Sequence, residues 1–123
     1  MQRKDIINYA LEKYQSQPEI LWPKYPSYVV LRHIDNRKWY AVIMNITKDK
    51  LGLDSKEPVD IVNVKCKPEM IDTLRMSKGI FAGYHMNKGN WISIMLEDVV
   101  GDNLIYDLLD LSFEMTKKAL RKR

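Results

Sequence analysis

The chain is short of several things that would settle its class at once. One cysteine, Cys66, leaves no internal disulfide to form and suits a reducing compartment. Two histidines, His33 and His85, stand far apart in sequence and form no metal-ligand spacing. No apolar run approaches the ~20 residues needed to span a bilayer. The opening Met-Gln-Arg-Lys-Asp is charged and leads into an amphipathic segment, unlike a secretory leader. Internal repeats, low-complexity tracts and the helix-turn-helix, zinc-finger and RRM patterns are all missing. The expectation is a cytoplasmic, monomeric protein with no membrane association, folded as one domain over residues 1–123.

What the chain does contain is ordinary for a globular domain: 123 residues, 46% hydrophobic and 29% charged. A domain of this length buries roughly two-thirds of its unfolded surface and needs no staple. The net charge of +4 is unevenly spread. Glu97 to Glu114 carries six acids and no base, whereas Lys117 to Arg123 carries five bases and no acid. Acids at a helix start and bases at its end account for that contrast. Between Lys24 and Lys88 stand twelve bases against seven acids, an excess that suits a polyanionic partner.

Periodicity predicts the elements. Ile7, Ala10, Leu11 and Tyr14 fall at helical spacing within Lys4–Tyr14. The segment Leu21 to Ser27, with Pro23 and Pro26, is expected to be a packed connector whose Trp22 and Tyr25 cover a core edge. Tyr28–Ile34 and Trp39–Ile46 read as strands around the turn Asp35–Lys38. Pairing Ile34 with Trp39 puts Val29, Leu31, His33, Tyr40, Val42 and Met44 on one face, and Val30, Arg32, Ile34, Trp39, Ala41 and Ile43 on the other. After a loop at Lys48–Pro58, Val59–Cys66 forms a third strand with Val62 and Val64 inward and Ile61, Asn63 and Lys65 outward. Pro68–Met76 suits a short helix with proline in its first turn, packing Ile71 and Leu74.

A second hairpin closes on Asn87-Lys88-Gly89-Asn90, pairing Met86 with Trp91 and Tyr84 with Ser93. Phe81, Gly83, His85, Ile92, Ile94 and Leu96 then share an apolar face, opposite Ala82, Tyr84, Met86, Trp91, Ser93 and Met95. Gly83 is expected to admit a bulky neighbour close to the strand. Asp102–Leu120 forms a long helix, capped by Asp102, whose stripe runs through Leu104, Ile105, Leu108, Leu109, Leu111, Met115, Ala119 and Leu120. The result is an α+β sandwich: an antiparallel sheet with helices packed on one face and the other face bare.

Tyr28-Val-Val-Leu-Arg-His, Asn36-Arg-Lys-Trp-Tyr-Ala, Val64-Lys-Cys-Lys-Pro-Glu, Tyr84-His-Met-Asn-Lys, Trp91-Ile and Asp107-Leu-Leu-Asp-Leu-Ser occur in that order along nearly the whole chain. In these stretches it resembles the MmcQ/YjbR family. The resemblance implies a frataxin-like (CyaY-like) two-layer sandwich in a small bacterial protein, and binding of duplex DNA between two strand-and-loop wings. It carries over no catalytic residues.

Four function classes compete. For double-stranded DNA, the bare face and hairpin tips would offer Arg32, Arg37, Lys38, Lys65, Lys67 and Lys88 to phosphates, Tyr84 and Trp91 for stacking or wedging, and Asn87 for a hydrogen bond. The competing explanation is that Trp39 and Trp91 are cross-strand packing partners and the lysines are simply solvated. Iron binding fits poorly, because Asp5 and Glu12 of the first helix are offset by Arg3, Lys4 and Lys13, and a histidine on a helix-facing side is usually a hydrogen-bonded core residue. Catalysis has no support. Cys66, though flanked by Lys65 and Lys67, has no base in view, and burial would leave it inert. No cofactor is expected. The expected function is DNA binding, with a protein- or small-ligand-binding adaptor as the alternative.

Overall fold

In the computed structural model, which describes residues 1–117, the chain runs α1 (Arg3–Tyr14), β1 (Val29–Arg32), β2 (Trp39–Thr47), a short 3-10 helix (Lys48–Leu51), β3 (Pro58–Lys65), α2 (Pro68–Arg75), β4 (Ile80–Ala82), β5 (Trp91–Met95) and α3 (Asp102–Thr116). The five strands form one antiparallel sheet in the order β1-β2-β3-β5-β4. Ala119 and Leu120, expected in the last helix, lie outside the described residues. Asp102 is the first helical residue and not the cap, a position that Gly101 takes.

All three helices lie on one face, as expected. Ile6 and Ala10 of α1, Ile71 of α2 and Ile105, Leu108 and Leu109 of α3 bury against Val29, Leu31, Ala41, Ile43, Val62, Val64, Ile80, Ile92 and Ile94. The expected strand registers need correction. Val29 lies opposite Ile43 and Leu31 opposite Ala41, and a bulge between Leu31 and Arg32 sets Arg32 opposite Trp39. The slip of one residue turns β2 over relative to β1. Val42 and Met44 therefore leave the helix side and join Val30 on the opposite face, and Ile34 is exposed in the turn. β3 is oriented as expected, with Val62 and Val64 toward the helices.

The second hairpin is corrected more strongly. β4 pairs Ile80 with Ile94 and Ala82 with Ile92, so the connection is the eight-residue segment Gly83–Asn90 and not a four-residue turn. This offset moves Phe81 to the face away from the helices. Gly83 begins the long connection because its N–H donates to Trp91 O at 3.0 Å, and a Cβ there would stand 2.8 Å from Trp91 Cβ. The bulky neighbour is thus Trp91 itself.

The second face is not bare. Val30, Val42, Met44, Ile46, Val59, Ile61 and Met95 are buried there beneath Trp22 of the connector, Tyr28 just before β1, Leu51 and Leu53 after β2, and Tyr84 and Met86 of the 83–90 loop. The cover consists of loops and the short 3-10 helix where the first face has α-helices.

Candidate functional site: a basic sheet end and an aromatic cavity

Antiparallel connectivity sends the β1–β2 turn, the end of β3 and the β4–β5 loop to the same end of the sheet. Every residue expected in the site belongs to this end, but their environments divide them. Arg37, Lys38, Lys67, Asn87 and Lys88 are exposed. Lys65 is half-buried, its backbone N–H donating to Ser112 Oγ of α3 at 2.8 Å. Three expectations are overturned. Trp91 is only 9% exposed and has no face to stack on a base. Arg32 is held bidentate by Glu19, with Nε and Nη2 each 2.7 Å from a carboxylate oxygen, a geometry that spends the guanidinium internally. Tyr84 stands in a cavity wall and not on an open sheet face.

Glu19 also bridges backbone to backbone with Val30, giving and receiving one hydrogen bond, and so covers the edge of β1. The hydrogen bonds from Arg32 hold the Glu19 carboxyl below the usual carboxylate range, against a smaller upward push from burial. Arg37 approaches the same carboxylate at 3.4 Å while remaining 56% exposed. Its φ of 64° places it in the left-handed region, in a turn pinned by Asn36, whose Nδ2 donates to Thr116 O at 2.9 Å and whose Oδ1 accepts from Lys38 N at 2.9 Å.

The 83–90 loop is fastened from beneath. Asn63 and Ser93 are wholly buried and face each other across β3 and β5, Ser93 Oγ donating to Asn63 Oδ1. Ser93 Oγ accepts from Tyr84 N at 2.8 Å, and Asn63 Nδ2 donates to Tyr84 O at 3.2 Å. Both backbone groups of Tyr84 are thereby satisfied by side chains of the sheet, which explains two polar residues amid an apolar face.

Above this anchor lies a cavity of about 400 Å³ walled by Trp22, Tyr25, Tyr28, Trp39, Met44, Tyr84, His85 and Met86. Its rings meet at steep angles: Trp22 is perpendicular to Trp39 at 5.6 Å between centroids and edge-on to Tyr28 at 6.1 Å. Tyr25 stacks on Tyr28 at 5.0 Å and is 54% exposed. No acid, lysine or arginine lines it. Beyond Tyr84 a smaller cavity of about 160 Å³ is lined by Lys50, Leu51, Arg75, Phe81, Ala82, Tyr84 and Lys88. Sequence reasoning missed Lys50 and Arg75, which lie on unrelated elements and show no shared spacing. The aromatic cavity had one usable signal, the run of Trp22, Tyr25 and Tyr28 among prolines.

The remaining titratable candidates sit elsewhere. His33 packs among the helices as expected, its Nε2 2.8 Å from Thr116 Oγ1 and its ring stacked on Phe113 at 4.2 Å. Burial pushes its pKa down. His85 is corrected: it is exposed, at φ 57°, and lines the aromatic cavity on the other face. Cys66 is fully buried and burial pushes its thiol pKa up, which opposes thiolate chemistry. Among the described residues no group of three or more His, Cys, Asp and Glu gathers closely enough to hold a metal ion, and no helix is long and apolar enough to cross a membrane.

The sequence profile of YjbR matches residues 11–115. The chain belongs to the YjbR family. It is 49% identical over 115 residues to the uncharacterised protein YyaQ of Bacillus subtilis, covering 94% of this chain and 98% of YyaQ. The uncharacterised protein YbdF of Escherichia coli O157:H7 is 27% identical over 106 residues, 85% of this chain and 77% of YbdF. Among solved structures, the Pseudomonas syringae protein studied as structural-genomics target PsR293 superposes with a TM-score of 0.93 at 41% identity, covering 95% of this chain and 100% of that one. The DUF419 domain of Deinococcus radiodurans DR2400 shares the fold, with a TM-score of 0.72 at 23% identity over 97% of this chain and 81% of that one.

Proposed function

We propose that this YjbR protein binds double-stranded DNA through the basic end of its sheet, using the β1–β2 turn and the 83–90 loop as two grips. The supporting observation is topological. Arg37 and Lys38 on one connection, Lys67 at the start of α2 and Lys88 on the other are exposed cations at a common end. Three strand intervals separate the two connections, about 14 Å at ~4.8 Å per interval, the order of the ~12 Å width of a major groove. Phosphates flanking a groove are within reach of such a pair. The contacts drawn are electrostatic and to the backbone, with Lys65 secondary and Asn87 available as a hydrogen-bond donor. Trp91 and Arg32 take no part, and no catalytic step or cofactor belongs to the proposal. A frataxin-like classification of the sandwich, a cytoplasmic location and a monomeric state go with it as its finer terms, and the relatives in Bacillus, Escherichia and Pseudomonas support a bacterial setting.

Fluorescence anisotropy with random-sequence duplex at low salt tests the proposal. Affinity is expected to fall with salt by about 0.9 log units per log unit of salt for each phosphate contact. The double substitution Lys38→Glu, Lys67→Glu is expected to flatten that slope by ~2, while the melting temperature moves by no more than about two degrees, as for other surface changes. Binding indifferent to salt, or none at micromolar protein, would sink it. The alternative, a ligand-binding module, is favoured by a different observation, the aromatic cavity.

A further inference from the structure

We infer that the loop-covered face holds a nucleotide site: a planar base in the aromatic cavity and its phosphates in the basic cavity beside it. The two cavities share Tyr84 as a wall, so one side chain separates them. Their linings are complementary in kind. The larger offers Trp22, Tyr25, Tyr28 and Trp39 and no lysine, arginine or acid, which suits an uncharged planar ring that stacks. The smaller offers Lys50, Arg75 and Lys88 and no carboxylate, which suits an anion and nothing neutral. Among the described residues neither Lys50 nor Arg75 makes an ion pair, and Lys88 is steered inward by its Nζ donating to Gly83 O at 2.9 Å. A purely apolar ligand would leave three neighbouring cations uncompensated, and inorganic phosphate would leave the aromatic cavity empty.

The wall between the cavities is built to stay in place. Ser93 and Asn63 take both backbone groups of Tyr84, so its ring is presented from a fixed backbone position on an otherwise irregular loop. The recognised chemistry, a nucleobase joined to phosphate, is common to free nucleotides and to single-stranded nucleic acid. The site runs from the loop-covered face to the β4 edge and does not depend on duplex binding at the sheet end. Lys50, Arg75 and Tyr25 belong to this site alone.

Trp22 and Trp39 line the cavity, whereas Trp91 does not, so intrinsic tryptophan fluorescence reads occupancy directly. Titration with ATP, GTP, CTP and UTP up to about 1 mM is expected to give saturable quenching with at least one of them. Adenosine is expected to quench about tenfold more weakly than ATP, and tripolyphosphate to leave the emission unchanged. Arg75→Ala with Lys50→Ala should weaken the triphosphate about tenfold and leave the nucleoside unaffected. Tyr25→Ala, at a position 54% exposed, should weaken both. A ten-residue oligothymidylate binding more than about tenfold tighter than UTP, and losing that advantage in the Arg75 variant, assigns the chemistry to single strands; equal affinity assigns it to free nucleotides. Absence of saturable quenching by all four triphosphates and the oligonucleotide would overturn the inference, as would undiminished affinity in the double variant. Loss of duplex binding at the sheet end with nucleotide quenching intact would remove the DNA proposal and leave this one standing.

Discussion

The two faces of the sheet bury strand residues almost equally well, yet only one is sealed. On the helix side, Ile6, Ala10, Ile105 and Leu109 close over strand residues that are mostly at 0% exposure. On the other side Val30, Val42 and Ile61 are just as buried, but their cover is two loops carrying large aromatic side chains and the short 3-10 segment with Leu51 and Leu53. A helix satisfies its own backbone and can lay a continuous apolar stripe on a sheet at crystal-like density. An irregular segment must first find partners for its N–H and C=O groups, so its side chains meet the sheet at scattered points and leave gaps. The larger cavity lies on that second side, and the smaller one adjoins it across Tyr84 at the β4 edge, where Arg75 of α2 also lines it. Tight packing marks the face that holds the fold, and imperfect packing marks the face with room for a ligand.

The sharpest way to break this contrast is to remove equal volumes from each side. Leu109→Ala, at 1% exposure on α3, is expected to cost about 2–5 kcal/mol in urea unfolding, and Leu53→Ala, half-buried under the loops, about 1 kcal/mol. Equal costs would mean that the loop cover is as load-sharing as the helices. Next in size, Asn63→Ala should destabilise by about 1–3 kcal/mol, because Ser93 and Tyr84 O lose a buried partner. Amide exchange should then accelerate over residues 83–90 and leave α3 amides to exchange only by global opening. Protection at 83–90 unchanged would show that the Asn63–Ser93 pair does not hold the loop.

A smaller effect separates the faces by pH. Burial depresses the His33 pKa in the folded protein, so the unfolded chain binds the extra proton and stability is highest above the unfolded value. As pH falls below about 6.5 the unfolded state is favoured progressively, until the lowered folded pKa is passed. Thermal melts between neutral and mildly acidic pH should slope downward, and His33→Gln should flatten that slope; an equal slope in the variant would assign the effect to other groups. The smallest expected effect is on stability from Lys38→Glu and Lys67→Glu, within about 0.5 kcal/mol, even as the salt dependence of duplex binding falls.

Much of the architecture is legible in the sequence. Helical spacing in α1 and α3, the proline at the start of α2 and the β-rich runs give the element order and the helix-covered face. Register was not legible, because it turns on single residues. The bulge at Leu31/Arg32 and the length of the 83–90 connection each decide which face a whole strand presents, and neither has a local composition signal strong enough to read. Those misassigned faces carried the candidate site with them. The expected registers expose the Trp91 ring and set Met44 on the helix side, whereas the structure buries the first and sets the second in the aromatic cavity.

By itself the amino-acid order determined the inventory: which segments coil, which extend, and that cations cluster in the connections between strands. Those outcomes follow from periodicity and backbone chemistry, which act over a few neighbouring residues. Only the tertiary structure decided that Arg32 spends its charge on Glu19, that Tyr84 becomes a wall shared by two cavities, and that Lys50, Arg75 and Lys88 converge. Each of those depends on groups from separate elements meeting in space, and the packing of whole strands and loops, not any local preference, brings them together.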